Sequence, residues 1–309
     1  MLEFDPNRKI TPPKEAATVV IIRDGADGLE VFCVRRHAQS AFMGGALVFP
    51  GGKLDAKDQD PRWFDRTTPV DPRSTIFSSD TGHAIALAVA ACRETLEEGR
   101  ILPTLPNVDD TVLEKLLQEA QNEGLLETLI RREIKLDLAC LAPFARWVTP
   151  EAESRRFDAR FYLLPLPNGQ IGKHDEHETT LSLWATPQRI LDAAAEGRFF
   201  LAPPTARTLE LLASERNVHS AFQLAARQTL LPVCPEFVAE NPPFVALPGD
   251  PAHSIHEKRV DGPTRYVLRD GRFVSEDPPK GGKGFALGNG EESKDDTVAV
   301  STSPHGSET

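Results

Sequence analysis

The residues best suited to chemistry in this chain lie in the run Arg93-Glu94-Thr95-Leu96-Glu97-Glu98. On a helix, residues three or four positions apart share a face, so the three glutamates would present one cluster of carboxylates. Hard oxygen ligands of this kind suit Mg²⁺ or Mn²⁺, which keep coordination positions for water and phosphate oxygens. The run therefore predicts a metal site on a helix. A solvated helix face of Arg–Glu pairs is the structural alternative.

The upstream segment Phe49-Pro50-Gly51-Gly52 favours the metal site. Strand-like residues over 46–49 lead directly into the two glycines. Since glycine has no Cβ, the backbone of such a turn can approach a metal ion or a phosphate closely.

Together the two segments resemble the signature of the Nudix hydrolases. In that signature a glycine and a glutamate precede Arg-Glu-aliphatic-x-Glu-Glu-x-Gly-aliphatic, on a loop, a helix and a second loop. The matching residues here are Gly52, Asp58, Arg93, Glu94, Glu97, Glu98 and Ile101.

The match departs from the signature in its spacing and at its end. An insert over about 59–82 splits the box and leaves open whether Asp58 replaces the first glutamate. Thr95 stands where an aliphatic residue is usual, which is a mild change in packing. The closing glycine belongs at position 100, but the chain has Gly99-Arg100. We therefore expect the helix exit to shift by one residue while the carboxylates keep their places.

The split box resembles a long-insert Nudix subfamily related to the mammalian peroxisomal coenzyme A diphosphatase. The similarity covers roughly residues 17–212, and the segments that carry it are 42–55, 147–150, 155–158 and 184–187. The best expectation for the substrate is therefore coenzyme A or an acyl-coenzyme A, cleaved to adenosine 3′,5′-bisphosphate and (acyl-)4′-phosphopantetheine.

The family resemblance implies the Nudix α/β/α sandwich, a mixed sheet between helices with helical insertions. It implies hydrolysis of a phosphoanhydride in a nucleoside diphosphate linked to another moiety. Mg²⁺ or Mn²⁺ would be held by Glu94, Glu97 and Glu98, with the Gly52 carbonyl as a further ligand. The implied catalytic set is Glu97, Glu98 and Arg93, where Arg93 orients a carboxylate. Such transfer needs metals that neutralise charge and orient water more than it needs covalent help. Which carboxylate deprotonates the water is left open.

Two pairs of arginines are candidates for binding the phosphates of the substrate. Arg35 and Arg36 close the second predicted strand, and Arg155 and Arg156 precede the aromatic Phe157. Arginine grips phosphate through paired hydrogen bonds, and an aromatic ring beside a cation suits a nucleotide base. Solubilising edge charge and structural salt bridges are the alternatives.

The resemblance also implies a further metal-binding or basic carboxylate, in the loop before a late strand at 181–184. Glu178 is the candidate, with Glu176 beside it, and Asp58 is the corresponding candidate within the box. The alternative for the run 174–178 is a solvated acidic turn.

Composition sets the bounds on partners and compartment. Hydrophobic residues make up 40% of the chain and the formal net charge is −11, which argues against a nucleic-acid or anionic-membrane partner. The four cysteines have no CxxC spacing, so neither a disulfide framework nor a zinc site is expected. No secretory signal, membrane-length apolar run or Ser-Lys-Leu ending is visible, so we expect a cytoplasmic protein. The expected partner is a small nucleotide-derived molecule, and a homodimer is one option.

We expect four regions along the chain. These are a flexible N-terminus over 1–14, a Nudix domain over 15–230, a C-terminal extension over 231–277 packed on that domain, and a disordered tail over 278–309. Within the domain, the patterns predict a hairpin over 17–34, the box helix over 83–98 and one amphipathic helix over 109–132.

Other functions remain open at this level. An ADP-ribose or NADH pyrophosphatase would differ only in its pocket contacts. A non-catalytic Nudix-like ligand sensor would typically lack box carboxylates, and all three are present here.

Overall fold

The computed structural model describes residues 10–37, 44–174 and 179–279. Residues 1–9, Glu178 and the predicted tail from 280 onward lie outside the described residues. The described strands are β1 (Lys14–Gly25), β2 (Gly28–Arg36), β3 (Leu47–Val48), β4 (Gly51–Lys53), β5 (Thr104–Leu105), β6 (Lys135–Leu136), β7 (Ala142–Val148), β8 (Phe157–Pro165), β9 (Thr179–Ala185), β10 (Pro232–Val233), β11 (Glu236–Val238), β12 (Phe244–Ala246), β13 (Arg265–Arg269) and β14 (Arg272–Glu276). The described helices are α1 (Trp63–Arg66), α2 (Thr81–Gly99), α3 (Asp110–Glu123), α4 (Leu125–Arg131), α5 (Pro187–Ala195), α6 (Pro203–Leu212) and α7 (Val218–Arg227).

One mixed sheet organises the described chain. Its strand order is β10-β7-β8-β1-β2-β3, with β4 also paired to β1 and β9 to β2. β1 runs parallel to β8, and β10 runs parallel to β7. β1 is the central strand, since its side chains over 19–22 are buried on both faces of the sheet. Consecutive residues alternate between the faces, so Val19 and Val20 enter different hydrophobic clusters.

Helices cover both faces of this sheet. The first cluster contains residues of α2, α3 and α4, among them Leu87, Leu113 and Leu129. The second contains residues of α5, α6 and α7, among them Ile190 and Leu209. The expected α/β/α sandwich with a mixed sheet is therefore confirmed.

The C-terminal extension contains a second, antiparallel sheet in the order β11-β12-β13-β14. Val245 and Tyr266 of this sheet are buried in the second hydrophobic cluster, with residues of α6. β10 joins the same part of the chain to the edge of the main sheet.

The predicted single helix over 109–132 is wrong in one respect, because the structure contains two helices. α3 is capped by Asp109, whose side chain accepts from the Val112 amide, and it ends at Gly124. Gly124 has φ +93, a conformation that glycine adopts without steric cost, and α4 follows at once. The helices of the described residues include none long and apolar enough to cross a membrane.

The exit of the box helix α2 differs from the expectation. The helix ends at Gly99, and Arg100 adopts the left-handed conformation with φ 51 and ψ 47, so the exit is not shifted. Gly99 serves a different purpose, since a Cβ there would lie 3.1 Å from Phe32 Cε1. Gly99 is thus closely packed against Phe32, and a non-glycine residue carries the left-handed turn at 100.

Replacing Arg100 with glycine should stabilise the protein. A left-handed non-glycine residue is strained, and the greater freedom of glycine in the unfolded chain offsets part of the relief. We expect the free energy of unfolding, measured in urea, to rise by about 0.5–1 kcal/mol. Arg227→Gly is the control and should be destabilising, because Arg227 is exposed in the last turn of α7 and glycine there gives up helix propensity without relieving a left-handed residue. A less stable Arg100→Gly variant would contradict the assignment of strain to this residue.

Candidate active site

The box carboxylates lie on the last turns of α2, at the wall of a cleft of about 1030 Å³. Asp80 caps the start of this helix by accepting from the His83 amide at 2.8 Å, and its small side chains pack it against the sheet. Glu94, Glu97 and Glu98 all line the cleft. Their side chains differ in exposure, since Glu97 is 52% exposed and Glu94 only 15%.

Arg93 holds two of these carboxylates, Glu94 and Glu97, in place. Its Nη1 donates to Glu94 Oε1 at 2.8 Å and to Glu97 Oε2 at 3.2 Å. Its Nε and Nη2 donate to the two carboxylate oxygens of Asp58 at 2.9 and 3.0 Å, and Nη2 also donates to the Lys53 carbonyl at 2.9 Å. These bonds occupy every N–H donor of the guanidinium. Arg93 is therefore placed as a positioning residue.

Asp58 is the anchor of this network and is buried, at 2% exposure. Besides Arg93, its Oδ2 accepts from the Asp55 amide at 2.8 Å, within a capping box on the turn Ala56–Gln59. Asp58 does not line the cleft as the structure describes it. Its contacts thus place it behind Arg93, on the far side from the substrate.

The glycine turn lies against the same carboxylates. The Gly51 amide donates to Glu98 Oε2 at 3.0 Å, and a Cβ on Gly51 would lie 2.5 Å from the Ala17 carbonyl oxygen. A Cβ on Gly52 would lie 2.3 Å from Glu94 Cδ. Both positions require glycine because backbone and carboxylate meet there.

Burial raises the pKa of Glu94 above its ordinary value, and the charge and hydrogen bond of Arg93 oppose this effect. Glu94 is consequently a carboxylate that gains from a nearby cation. In the described part of the chain, no three His, Cys, Asp or Glu side chains converge as a metal-binding group. The hydrogen bonds to Arg93 and Gly51 account for where the glutamate oxygens lie.

The structure separates the four candidate arginines. Arg36, Arg155, Arg156 and also Phe157 line the cleft. Arg35 is exposed and its Nε donates to the Gly45 carbonyl at 3.3 Å, away from the cleft lining.

Arg36 and Arg155 are better placed for a ligand than Arg156. Arg156 is 7% exposed and donates to the carbonyls of Thr149 and Thr11, which joins the β7–β8 loop to the N-terminal segment. The buried Nε of Arg36 has no hydrogen-bond partner among the described residues. Arg155 is exposed at the cleft wall.

Two cations that line the cleft, and the part of its wall that the C-terminal extension supplies, were not predicted from the sequence. Lys14 and Lys53 line the cleft because β1 and β4 pair beside it. Pro235, Val245 and Phe273 reach it from the C-terminal extension. Lys53 directly follows the glycine turn in the sequence, and this position could have identified it as a cleft residue. No local sequence feature identifies the other residues as part of the cleft. Glu178 lies outside the described residues.

Comparison with known proteins agrees with this architecture. Residues 13–212, more than half of the chain, match the family model described as the NUDT19 Nudix domain. Acyl-coenzyme A diphosphatase NUDT19 of Xenopus laevis is 24% identical, over 82% of this chain and 79% of that protein. The Gallus gallus protein of the same name is 25% identical, over 85% and 87%. A NUDIX hydrolase structure from Alicyclobacillus acidocaldarius has a TM-score of 0.57 and 29% identity, over 70% of this chain and 97% of that one.

The sandwich, the box helix and these similarities define the chain as a Nudix hydrolase, a pyrophosphohydrolase. Enzymes of this class generally act with a divalent metal ion. Within the class, the chain belongs to the NUDT19 Nudix domain family.

Replacing Asp58 with asparagine should lower kcat without unfolding the protein. The change removes the charge that holds Arg93, and loss of a supporting partner at a metal site typically costs about 10- to 100-fold in activity. Turnover of the best diphosphate substrate, with circular dichroism as a check on folding, measures the effect.

Asp60→Asn is the matched control, because Asp60 pairs with Arg62 at the surface. That variant should keep wild-type turnover. A folded Asp58→Asn variant with unchanged kcat would show that Arg93 needs no anchor.

Proposed function

We propose that this enzyme hydrolyses the diphosphate of coenzyme A and of acyl-coenzyme A, giving adenosine 3′,5′-bisphosphate and (acyl-)4′-phosphopantetheine. The observation that carries the proposal is a single cleft lined by the three box glutamates and by cations. The Xenopus and Gallus relatives are named as acyl-coenzyme A diphosphatases, which supports the same substrate class.

The charge of the substrate supports this choice. Coenzyme A carries a 3′-phosphate in addition to its diphosphate, and the protein has a formal net charge of −11. Such a ligand needs local cations. The cationic side chains that line the cleft are Lys14, Arg36, Lys53, Arg93, Arg155 and Arg156.

The donor set at the cleft wall fits a hard divalent cation. Glu94, Glu97 and Glu98 supply carboxylate oxygens, and one guanidinium cannot neutralise three of them together with Asp58. The absence of a Cβ at Gly52 leaves the Glu94 carboxylate its space. We infer that these glutamates hold Mg²⁺ or Mn²⁺, with the Gly52 carbonyl as a further donor. A bound ion of this kind neutralises diphosphate charge and lowers the pKa of a bound water.

The protein groups then have separate tasks. Arg93 orients Glu94 and Glu97, and the Gly51 amide orients Glu98. The exposed Glu97 side chain is the one most accessible to solvent, so it is well placed to meet the proton of an attacking water. The cleft cations Arg36 and Arg155 would bind substrate phosphates.

A substrate comparison tests the proposal. At matched Mg²⁺ and moderate salt, coenzyme A should be hydrolysed with a higher kcat/KM than 3′-dephospho-coenzyme A or ADP-ribose, because only coenzyme A carries the extra phosphate. Product masses identify the bond cleaved. EDTA should stop turnover, and added Mg²⁺ or Mn²⁺ should restore it.

A higher kcat/KM for ADP-ribose or dephospho-coenzyme A would refute the coenzyme A assignment and leave membership of the Nudix family untouched. Undiminished turnover in EDTA would refute the metal site. These two results are independent of each other.

Arg36→Gln should raise KM for coenzyme A about tenfold, since a charge-assisted hydrogen bond is worth about 1.5–3 kcal/mol. The Nε of Arg36 is buried at the cleft without a partner in the described chain, and we infer that a substrate phosphate serves as its acceptor. Initial-rate kinetics measure the change.

Arg35→Gln is the matched control, because its side chain points away from the cleft on the same strand. It should change KM by less than about twofold. If the two variants change KM by the same factor, Arg36 does not bind the substrate. The same measurement with dephospho-coenzyme A shows whether the 3′-phosphate or the diphosphate is the group contacted.

A further inference from the structure

Part of the cleft wall is apolar and takes no part in the hydrolytic chemistry. Three separate parts of the chain supply it, namely one face of the main sheet, the start of α6 and the C-terminal extension. The residues concerned are Ala16, Ala159, Phe161, Ala202, Pro203, Pro204, Pro235, Val245 and Phe273.

The start of α6 is unsuited to an anion. Pro203 and Pro204 are its first two residues, and Ala202 provides no side-chain cap. Helix N-termini bind phosphate through free N–H groups, and proline has none. This helix end therefore presents apolar rings to the cleft where other helices present donors.

The wall contributed by the C-terminal extension is fixed by Arg207 of α6. This side chain is 1% exposed and donates to the Asp261 carbonyl at 2.8 Å, the Pro263 carbonyl at 2.5 Å and the Tyr266 hydroxyl at 3.1 Å. Gly262 permits the approach, since its φ is +101 and a Cβ would lie 1.6 Å from Arg207 Nη1. A wall held in this way is ordered before a ligand arrives, so little ordering entropy opposes binding.

Phe273 is the large side chain that the extension places at the cleft. It lies on β14 with its ring 6.1 Å, between centroids, from that of Phe200. The next residue on the strand, Val274, faces the opposite way and is 41% exposed. Phe273 can therefore contact a ligand in the cleft, whereas Val274 cannot.

We infer that this apolar wall binds the aliphatic acyl group of an acyl-coenzyme A, and that Phe273 is a specificity-determining residue for that group. The inference rests on the proposed function and names the subsite for one part of the substrate. The cleft, at about 1030 Å³, lies at the upper end of the range of small-molecule and cofactor sites. The wall is continuous with the carboxylates and cations of the same cleft, so one ligand would span both.

The test uses the full chain and the series coenzyme A, butyryl-, octanoyl- and lauroyl-coenzyme A. In the wild type, kcat/KM should rise with acyl length, since each fully buried methylene contributes up to about fourfold in affinity. Phe273→Ala should lower the ratio of octanoyl- to free coenzyme A by about three- to tenfold. Val274→Ala should leave that ratio as in the wild type. Phe273→Leu, which removes only part of the apolar area of the ring, should lower the ratio by a smaller factor and serves if the alanine variant does not fold.

A wild type without any dependence on acyl length overturns the inference. So does a Phe273→Ala or Phe273→Leu variant that loses coenzyme A and octanoyl-coenzyme A turnover in equal proportion, because that result indicates a structural role.

Calorimetric binding of the same series in EDTA separates this test from the proposed function, since it needs no turnover. If coenzyme A is not hydrolysed, the proposed function fails. In that case, the dependence of binding affinity on acyl length still tests whether the apolar wall binds the acyl group.

Discussion

The active site depends on one guanidinium whose donors are all engaged. Arg93 joins residues from three places: Asp58 before the insert, the Lys53 carbonyl at the glycine turn, and Glu94 and Glu97 on its own helix. Because the guanidinium is planar and its donor directions are fixed, moving one partner changes the hydrogen-bond geometry of the others. Since Arg93 is largely buried and Asp58 almost completely so, water competes weakly for these bonds. The carboxylates of the box are therefore oriented by a network that is anchored at the buried Asp58, away from the cleft lining.

This arrangement explains how a long insert can split the box without dispersing it. Asp58 lies ahead of the insert and bonds Arg93 behind it, so the two ends are joined across the excursion. The insert is itself fixed, because Trp63 and Phe77 are buried in the first hydrophobic cluster. Arg73 also donates to the carbonyls of Ala225 and Gln228 at the end of α7. An ordered excursion with closed ends costs the site little, as loop entropy grows slowly with length.

Features encoded by neighbouring residues could be predicted from the sequence, and features set by distant contacts could not. The hairpin of β1 and β2 and the helix that carries Glu94, Glu97 and Glu98 follow from periodicity and turn residues. The exit of that helix did not, because the left-handed turn falls on Arg100 while Gly99 packs against Phe32, on a strand far away in sequence. Similarly, the exclusion of Arg35 from the cleft depends on strand pairing that alternates neighbours between faces.

The two parts of the cleft consequently differ in how they are encoded. The box glutamates are concentrated on one helix beside the glycine turn, where spacing alone brings carboxylates together. The apolar part is assembled from α6 and the second sheet, which pack together in the second hydrophobic cluster and are joined by hydrogen bonds from the buried side chain of Arg207. Substitutions in the second part can change the shape of the apolar wall without moving Arg93 or its partners. The apolar wall and the orientation of the box glutamates can therefore change independently, because the hydrogen bonds of Arg93 do not pass through the extension.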